Sequence, residues 1–278
     1  MGFGADDEPP GRGGGQDRQG HIQSERRHPL SHVRTPVLGV LGGMGPLATA
    51  DFYRRLVERT PAGTDQEHLP VLMWADPRVP DRTAALLGGG PSPVPAMVAG
   101  ARWLRRAGAG CIAVPCNTAH AYLGQVSRAV GVEVLDMVEA AVAAAARTAP
   151  GVERVGVLAT RGTRRARLYE QAGERLGVDV LQVPPEVQWD CVDPAIRTVK
   201  AGAGLSGAEQ RIARAAELLK EQGAQAVVAA CTEIPLVSGP ASRVLPLVDS
   251  TDALVDVIVA RLWRSPRELS SEATSTRG

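Results

Sequence analysis

The stretch 111–120, which reads CIAVPCNTAH, decides the fold of this chain. Its apolar run 111–114 predicts a buried strand, and the Asn-Thr pair that follows Cys116 is typical of a helix start. A thiol at such a turn lies at the carboxyl end of a strand, where open parallel sheets bind their ligands. Free N–H groups of a helix that starts there can lower the pKa of a thiol. The alternative interpretation is that Cys116 is a small buried hydrophobic residue.

A second copy of this setting occurs later in the chain and favours the functional interpretation. Cys231 lies 115 positions after Cys116 and also follows an apolar strand. The repeated pairs of segments are WLRRAGAG (103–110) with LLKEQGAQ (218–225), and LGVLGG (38–43) with VGVLAT (155–160). We therefore predict an α/β fold of two similar Rossmann-like domains related by pseudo-twofold symmetry. The active site is expected in the interdomain cleft, with the two thiols facing each other.

The domain boundaries follow from the repeat and from composition. Residues 1–34 are rich in Gly, Arg, Gln and His and carry too few aliphatic side chains to form a core. We predict four segments: a disordered N-terminal tail (1–34), a first α/β domain (36–134 plus 246–263), a second α/β domain (135–245) and a disordered C-terminal tail (265–278). The histidines of the N-terminal tail are irregularly spaced, so we expect no metal site there.

Composition excludes several classes of function. The chain of 278 residues has a formal net charge of +1, which argues against a nucleic-acid or membrane-surface partner. It has no apolar run near the roughly 18 residues of a membrane span. Its four cysteines show no CxxC spacing, which favours a reducing compartment, and we expect a cytoplasmic protein. Cys191 has no partner in the repeat and is predicted to be structural.

Two cationic positions point to an anionic ligand. Residues 76–83, DPRVPDRT, follow a predicted strand, and two prolines there indicate a rigid loop that can aim a guanidinium at the ligand crevice. A guanidinium fork fits a carboxylate. In an arginine-rich chain a surface position is an equal alternative for Arg82 and the favoured one for Arg78. Lys200 is one of only two lysines. The glycine loop 42–46, GGMGP, lacks nucleotide-binding spacing but can approach a small anion with its N–H groups.

Five motifs together resemble one known family. The stretches PCNTAH (115–120) and ACTEIP (230–235) look like two motifs of that family. The further motifs GGMGP (42–46), PDRT (80–83) and VKAG (199–202) occur in the order that the family has. The chain is therefore identified as similar to the aspartate/glutamate racemase family over about residues 36–263. Glutamate racemases typically carry Thr-His-Tyr-Pro where this chain has Thr-Glu-Ile-Pro, so it looks closest to the aspartate racemase branch.

The resemblance implies a fold, a reaction and a set of residues. Family members are independent of cofactors, including pyridoxal phosphate, have two similar α/β domains with the site between them, and are often dimers. By resemblance we expect no cofactor, no metal, an acidic amino acid as substrate and a homodimer. Cys116 and Cys231 would be the two catalytic bases. The substrate-binding residues expected on this basis are Met44, Arg82, Asn117, Thr118, Thr160, Lys200, Thr232 and Glu233.

Other interpretations stay open at this point. Similar folds include isomerases and decarboxylases of other dicarboxylates, of the maleate isomerase kind, and hydantoin racemases. Arg82 and Lys200 favour a dicarboxylic substrate, which makes a hydantoin the weaker choice. A non-catalytic two-domain binding protein is a further alternative, but binding alone does not need matched thiols. The sequence predicts a racemase of aspartate or glutamate without deciding between them.

Overall fold

Two parallel sheets of the same topology form the framework of the protein. A computed structural model describes residues 36–202 and 205–264, so the predicted disordered tails lie outside the described residues. The first sheet has the strand order β2-β1-β3-β4, and the second has β6-β5-β7-β8. The strands of the first sheet are β1 (Leu38–Gly42), β2 (Val71–Ala75), β3 (Cys111–Ala113) and β4 (Glu133–Leu135). The strands of the second sheet are β5 (Arg154–Ala159), β6 (Asp179–Gln182), β7 (Ala226–Ala230) and β8 (Leu247–Asp249).

All the pairings within these sheets are parallel. Leu38 lies opposite Cys111 in the first sheet, and Val155 lies opposite Ala226 in the second. In both sheets the first strand pairs with the second and third, and the fourth pairs only with the third. The predicted α/β fold with a repeated half is therefore confirmed. Parallel pairing also brings the carboxyl ends of the strands in each sheet to one edge.

Helices cover both faces of each sheet, which explains why the strands β1 and β7 are wholly buried. The helices are α1 (Pro46–Arg59), α2 (Arg82–Leu86), α3 (Val94–Ala107), α4 (Leu123–Val130), α5 (Met137–Ala146), α6 (Arg161–Arg165), α7 (Leu168–Leu176), α8 (Pro185–Val187), α9 (Asp193–Lys200), α10 (Ser206–Glu221) and α11 (Ser250–Leu262). Within the described ranges, no helix is long and apolar enough to cross a membrane.

The helices α5 and α11 lie against each other and join the two halves. Valines and alanines of α5 pack with β5 and β7, whereas Leu254 and Ile258 of α11 pack with β1 and Phe52. The ion pairs of Arg55 with Asp249, at the end of β8, and with Asp252 of α11 tie this region to α1. Helix α11 thus packs on the first sheet.

One part of the predicted division into domains is wrong. The sequence places all of 246–263 in the first domain, but β8 pairs with β7 and belongs to the second sheet. The chain therefore completes the second sheet before α11 returns to the first. Backbone pairing decides this, because three residues carry too little sequence pattern to indicate which sheet they join.

The turns after the two cysteines also differ from the prediction. The sequence predicts a regular helix from Cys116 to Val130, but residues 117–122 form a 3₁₀ helix and α4 begins only at Leu123. The Thr-Glu pair after Cys231 also predicts a helix, but the structure has only a 3₁₀ helix of four residues, Ile234–Val237. The sequence further predicts one helix from Thr160 to Leu176, which the structure divides into α6 and α7 at Arg167, whose φ of 51° is left-handed.

Candidate active site

A pocket forms where the carboxyl ends of β1, β3, β5 and β7 meet between the two halves. All ten residues predicted from the sequence line it, and Asp81 and Thr83 line it as well. The wall consists of Met44, Asp81, Arg82, Thr83, Cys116, Asn117, Thr118, Thr160, Lys200, Cys231, Thr232 and Glu233. Asp81 and Thr83 flank Arg82 in the PDRT motif, so the signal that could have identified them was present in the sequence.

The two thiols occupy equivalent turns. Cys116 follows β3, and Cys231 follows β7 directly. Their exposed fractions are 7% and 5%, and each contacts the hydrophobic core of its own half. Because each side chain also lines the pocket, the two thiols reach it from opposite halves of the repeat.

Cys231 carries a carboxylate partner. Its Sγ donates a hydrogen bond to Oε2 of Glu233 over 2.9 Å, and the Thr232 hydroxyl donates to the same oxygen over 3.3 Å. Burial, together with the Glu233 charge, raises the pKa of the Cys231 thiol well above its ordinary value. The following 3₁₀ helix is too short to supply the expected dipole.

The Cys116 turn is held through its backbone. The ring of His120 is buried and bonds to the Cys116 carbonyl through Nδ1 over 2.9 Å, while its Nε2 accepts from the N–H of Met137 over 2.9 Å. These two partners require the neutral tautomer with the proton on Nδ1. Burial lowers the pKa of His120 below its ordinary value, which agrees with that neutral state.

Asn117 has protein partners for its amide. Its Oδ1 accepts from the hydroxyl of Tyr169 over 2.6 Å, and its Nδ2 donates to Ser250 over 2.9 Å. Ser250 in turn donates to the Ala229 carbonyl. This buried chain joins the first half to α7, α11 and β7. Tyr169 and Ser250 carried no sequence signal, since neither lies in a motif.

Three threonine hydroxyls join the halves at the other side of the pocket. Thr118 lies 2.9 Å from Thr160 and 3.0 Å from Thr163, and the last two hydroxyls are 3.1 Å apart. Thr160 also caps α6 by accepting from the N–H of Thr163. Gly162 makes the close approach possible, because an added Cβ would lie 2.8 Å from Thr83 and 2.9 Å from Thr118.

The predicted cations differ in how they are held. The Arg82 side chain is buried at 9% exposure, and one of its terminal nitrogens donates to the carbonyls of Val79 and Pro80, each over 3.1 Å. Its Nε is buried and has no partner among the described residues, and no described carboxylate pairs with this guanidinium. Arg78 is 88% exposed and pairs with Asp76, which confirms it as a surface residue.

Lys200 lies at the end of α9, and its Nζ is 4.0 Å from Oε1 of Glu233. Burial acts to lower the pKa of Lys200, but the nearby Cys231 and Glu233 raise it further, so the net change is upward. The amine is therefore a cation at neutral pH. Together with Arg82 it gives the pocket two positive charges.

The remaining features of the site are apolar or lie outside it. Met44 is 2% exposed and follows Gly43, whose φ of 87° and contact with the Asp76 backbone leave no space for a side chain. Cys191 packs against the core of the second half, as predicted for a structural residue. Trp189 is 53% exposed and stacks on Arg161. Within the described residues, no group of three or more His, Cys, Asp or Glu could hold a metal ion.

A sequence model of the Asp/Glu/hydantoin racemase family matches residues 41–258, which is most of the chain. The chain belongs to this family. The broad specificity amino-acid racemase RacX of Bacillus subtilis is 24% identical over 231 residues, which cover 81% of this chain and 97% of RacX. The predicted resemblance is therefore confirmed.

Solved racemase structures have the same fold. Aspartate racemase of Picrophilus torridus superimposes with a TM-score of 0.71 at 26% identity, covering 84% of this chain and 98% of that one. Glutamate racemase of Francisella tularensis, solved with D-glutamate, gives a TM-score of 0.61 at 16% identity, covering 81% of this chain and 80% of that one. The two-domain arrangement of this racemase-family chain agrees with these structures.

Proposed function

We propose that this protein is a cofactor-independent racemase that interconverts L- and D-aspartate, or the enantiomers of glutamate, with Cys116 and Cys231 as its two bases. The observation that carries the proposal is the pair of thiols at equivalent turns of a repeated fold, both lining one buried pocket. Family membership supports an amino-acid racemase.

The chemistry needs a base on one face of Cα and an acid on the other. One cysteine, as thiolate, removes the Cα proton, and the other, as thiol, delivers a proton to the opposite face. Roles are exchanged for the other enantiomer. A free thiol has a pKa of about 8.5, so the site must stabilise one cysteine as thiolate near neutral pH while the other keeps its proton.

The cations supply the charge that an acidic substrate requires. Arg82 lines the pocket and has no carboxylate partner in the described structure, which suits its guanidinium to bind a substrate carboxylate. Lys200 would bind the second carboxylate. The hydroxyls of Thr118 and Thr160, two residues that line the pocket, and N–H groups of the Cys116 turn would stabilise negative charge that develops on the substrate.

Broader specificity is a second candidate within the same chemistry. The similarity to RacX, a broad specificity racemase, favours testing amino acids that are not acidic. Arg82 and Lys200 favour the acidic substrates.

We also expect a homodimer on the basis of the family resemblance. Light scattering after size exclusion would measure the oligomeric state.

The decisive test is incubation of the protein with a panel of L-amino acids in D₂O. Proton NMR measures Cα deuteration, and chiral chromatography measures the product enantiomer separately. We expect aspartate or glutamate to be deuterated fastest and to appear as the D form. Parallel assays with maleate test the alternative. Formation of fumarate from maleate, with no Cα exchange in any amino acid, would instead indicate a dicarboxylate isomerase.

A further inference from the structure

The carboxylate of Glu233 lies closer to a thiol than to any cation of the pocket. The Sγ of Cys231 is 2.9 Å from Oε2, whereas the Nζ of Lys200 is 4.0 Å from Oε1. Glu233 is buried, and the Lys200 side chain is 42% exposed. A carboxylate only accepts hydrogen bonds, so the sulfur must hold its proton to make this contact.

The equivalent cysteine has no such partner. In the part of the chain that the structure describes, the Sγ of Cys116 makes no hydrogen bond, and its turn is fixed through the backbone by His120. The residue two positions after Cys116 is Thr118, whose hydroxyl bonds to Thr160 and Thr163. The repeat thus places a carboxylate beside one thiol and a hydroxyl beside the other.

We propose that Glu233 is a positioning residue that keeps the proton on Cys231 in the resting enzyme, so that Cys231 begins as the acid and Cys116 as the base. This role rests on the racemase function proposed above and refines it. It also replaces the expectation that Glu233 contacts the substrate directly.

The protons balance over one turnover. The Cα–H bond breaks, its proton goes to the Cys116 thiolate, and the electron pair remains on Cα. The S–H bond of Cys231 then breaks, and its proton forms the new Cα–H bond on the opposite face. Cys231 is left as a thiolate beside the Glu233 carboxylate, and Cys116 is left as a thiol. Repulsion between the two anions favours return of a proton from solvent to Cys231, and Cys116 releases its proton to solvent, which restores the starting state. The enzyme therefore treats the two enantiomers unequally.

Other charges around Cys231 limit this effect. Lys200 attracts the thiolate that forms after proton transfer, and its distance of 4.0 Å from Glu233 leaves the carboxylate only partly neutralised. The further titratable groups of this region are Cys116, Arg82 and Asp81, which line the same pocket as Cys231, and the buried Tyr169. Of the two carboxylates of the wall, only Glu233 bonds to a sulfur.

The test measures thiol ionisation in the free enzyme. Iodoacetamide alkylation is followed between pH 5 and 10, and mass spectrometry of peptides quantifies Cys116 and Cys231 separately. In Glu233→Gln we expect the pH midpoint for Cys231 to fall by about one unit or more, which is about tenfold faster alkylation near neutral pH. The Cys116 midpoint should change much less. Asp81→Asn removes the other carboxylate of the wall and should leave the Cys231 midpoint nearly unchanged.

An unchanged Cys231 midpoint in folded Glu233→Gln overturns the proposal and favours direct binding of the substrate ammonium group by Glu233. If Glu233→Gln does not fold, Glu233→Asp decides in the same way, because its shorter side chain withdraws the carboxylate from the sulfur. A lower midpoint then supports the proposal, and an unchanged one overturns it. Alkylation needs no turnover, so these outcomes are separate from failure of the racemase function, which the D₂O assay detects.

Discussion

Arg82 is the residue that most directly indicates an anionic substrate. Its guanidinium is buried, and its Nε has no partner among the described residues. We expect Arg82→Ala to lower kcat/KM for aspartate about 100-fold or more, mainly through KM, because the substrate carboxylate would be desolvated without its cation. Steady-state kinetics in both directions measure this change.

Arg78→Ala is the matched control for Arg82→Ala. It lies four positions earlier in the same loop, but it is 88% exposed and paired with Asp76. Its removal should change kcat/KM by less than about twofold, since exposed pairs contribute little. Similar kinetics in the two variants, with both proteins folded, would remove the argument for a dicarboxylic substrate.

His120 gives the protein a specific sensitivity to acid. Burial lowers the pKa of the folded-state ring, whereas the unfolded value is about 6.5. The stability that neutral His120 provides is therefore complete above about pH 6.5 and is lost as the pH falls below it. Between pH 7.5 and 5.5 we expect this ring to account for about 1 kcal/mol of the fall in unfolding free energy.

Urea unfolding at the two pH values tests this prediction. His120→Gln should be less stable at pH 7.5, because one amide cannot replace both hydrogen bonds of the ring. Its stability should nevertheless fall less steeply toward pH 5.5 than that of the native protein. Parallel curves for the two proteins would show that His120 does not titrate on unfolding.

At the scale of elements, the contact between α6 and the first half depends on Gly162. An added Cβ there would lie 2.8 Å from the Cα of Thr83. We expect Gly162→Ala to lower the unfolding free energy by about 1–3 kcal/mol and to reduce activity, since it pushes apart the walls that carry Thr118 and Thr160. Thermal denaturation and racemase assays measure the two effects.

Gly207→Ala tests whether the effect of Gly162→Ala comes from the contact or from the helix. Gly207 also lies in a helix, α10, but an added Cβ there would come no closer than 3.6 Å to the end of the Arg211 side chain. Alanine should stabilise this position by up to about 1 kcal/mol through helix propensity. Equal changes at both glycines would contradict the role of Gly162 as an interdomain contact.

The strands were predictable from sequence to a greater degree than the helical turns. The strand Ala226–Ala230 agrees with the apolar pattern, because a buried parallel strand needs only a short apolar run between turns. The 3₁₀ geometry of 117–122 could not be predicted, since it depends on the His120 bridge to Met137. The break at Arg167 depends likewise on tertiary packing, because an arginine gives no local signal for a left-handed conformation.

For the whole molecule, the internal repeat made the location of the site predictable. Equivalent positions of Cys116 and Cys231 imply one shared pocket once two similar halves face each other. The partners of the site residues were not predictable. The chain Tyr169–Asn117–Ser250 and the thiol–carboxylate contact of Cys231 join residues through space, and side-chain geometry is not encoded in motif spacing. The membership of β8 in the second sheet is a correction of the same kind.

The central claim is that two thiols divide the work between the two enantiomers. Elimination from β-chloroaspartate requires only proton abstraction, so a variant that keeps one cysteine can still process one enantiomer. The most direct measurement is elimination from each enantiomer by Cys116→Ser and Cys231→Ser, alongside racemisation of aspartate. We predict that both variants lose racemisation. Each variant should retain elimination from one enantiomer of β-chloroaspartate, and the two variants should act on different enantiomers. Elimination from the same enantiomer by both variants, or aspartate racemisation at the native rate by either, would contradict the two-thiol mechanism.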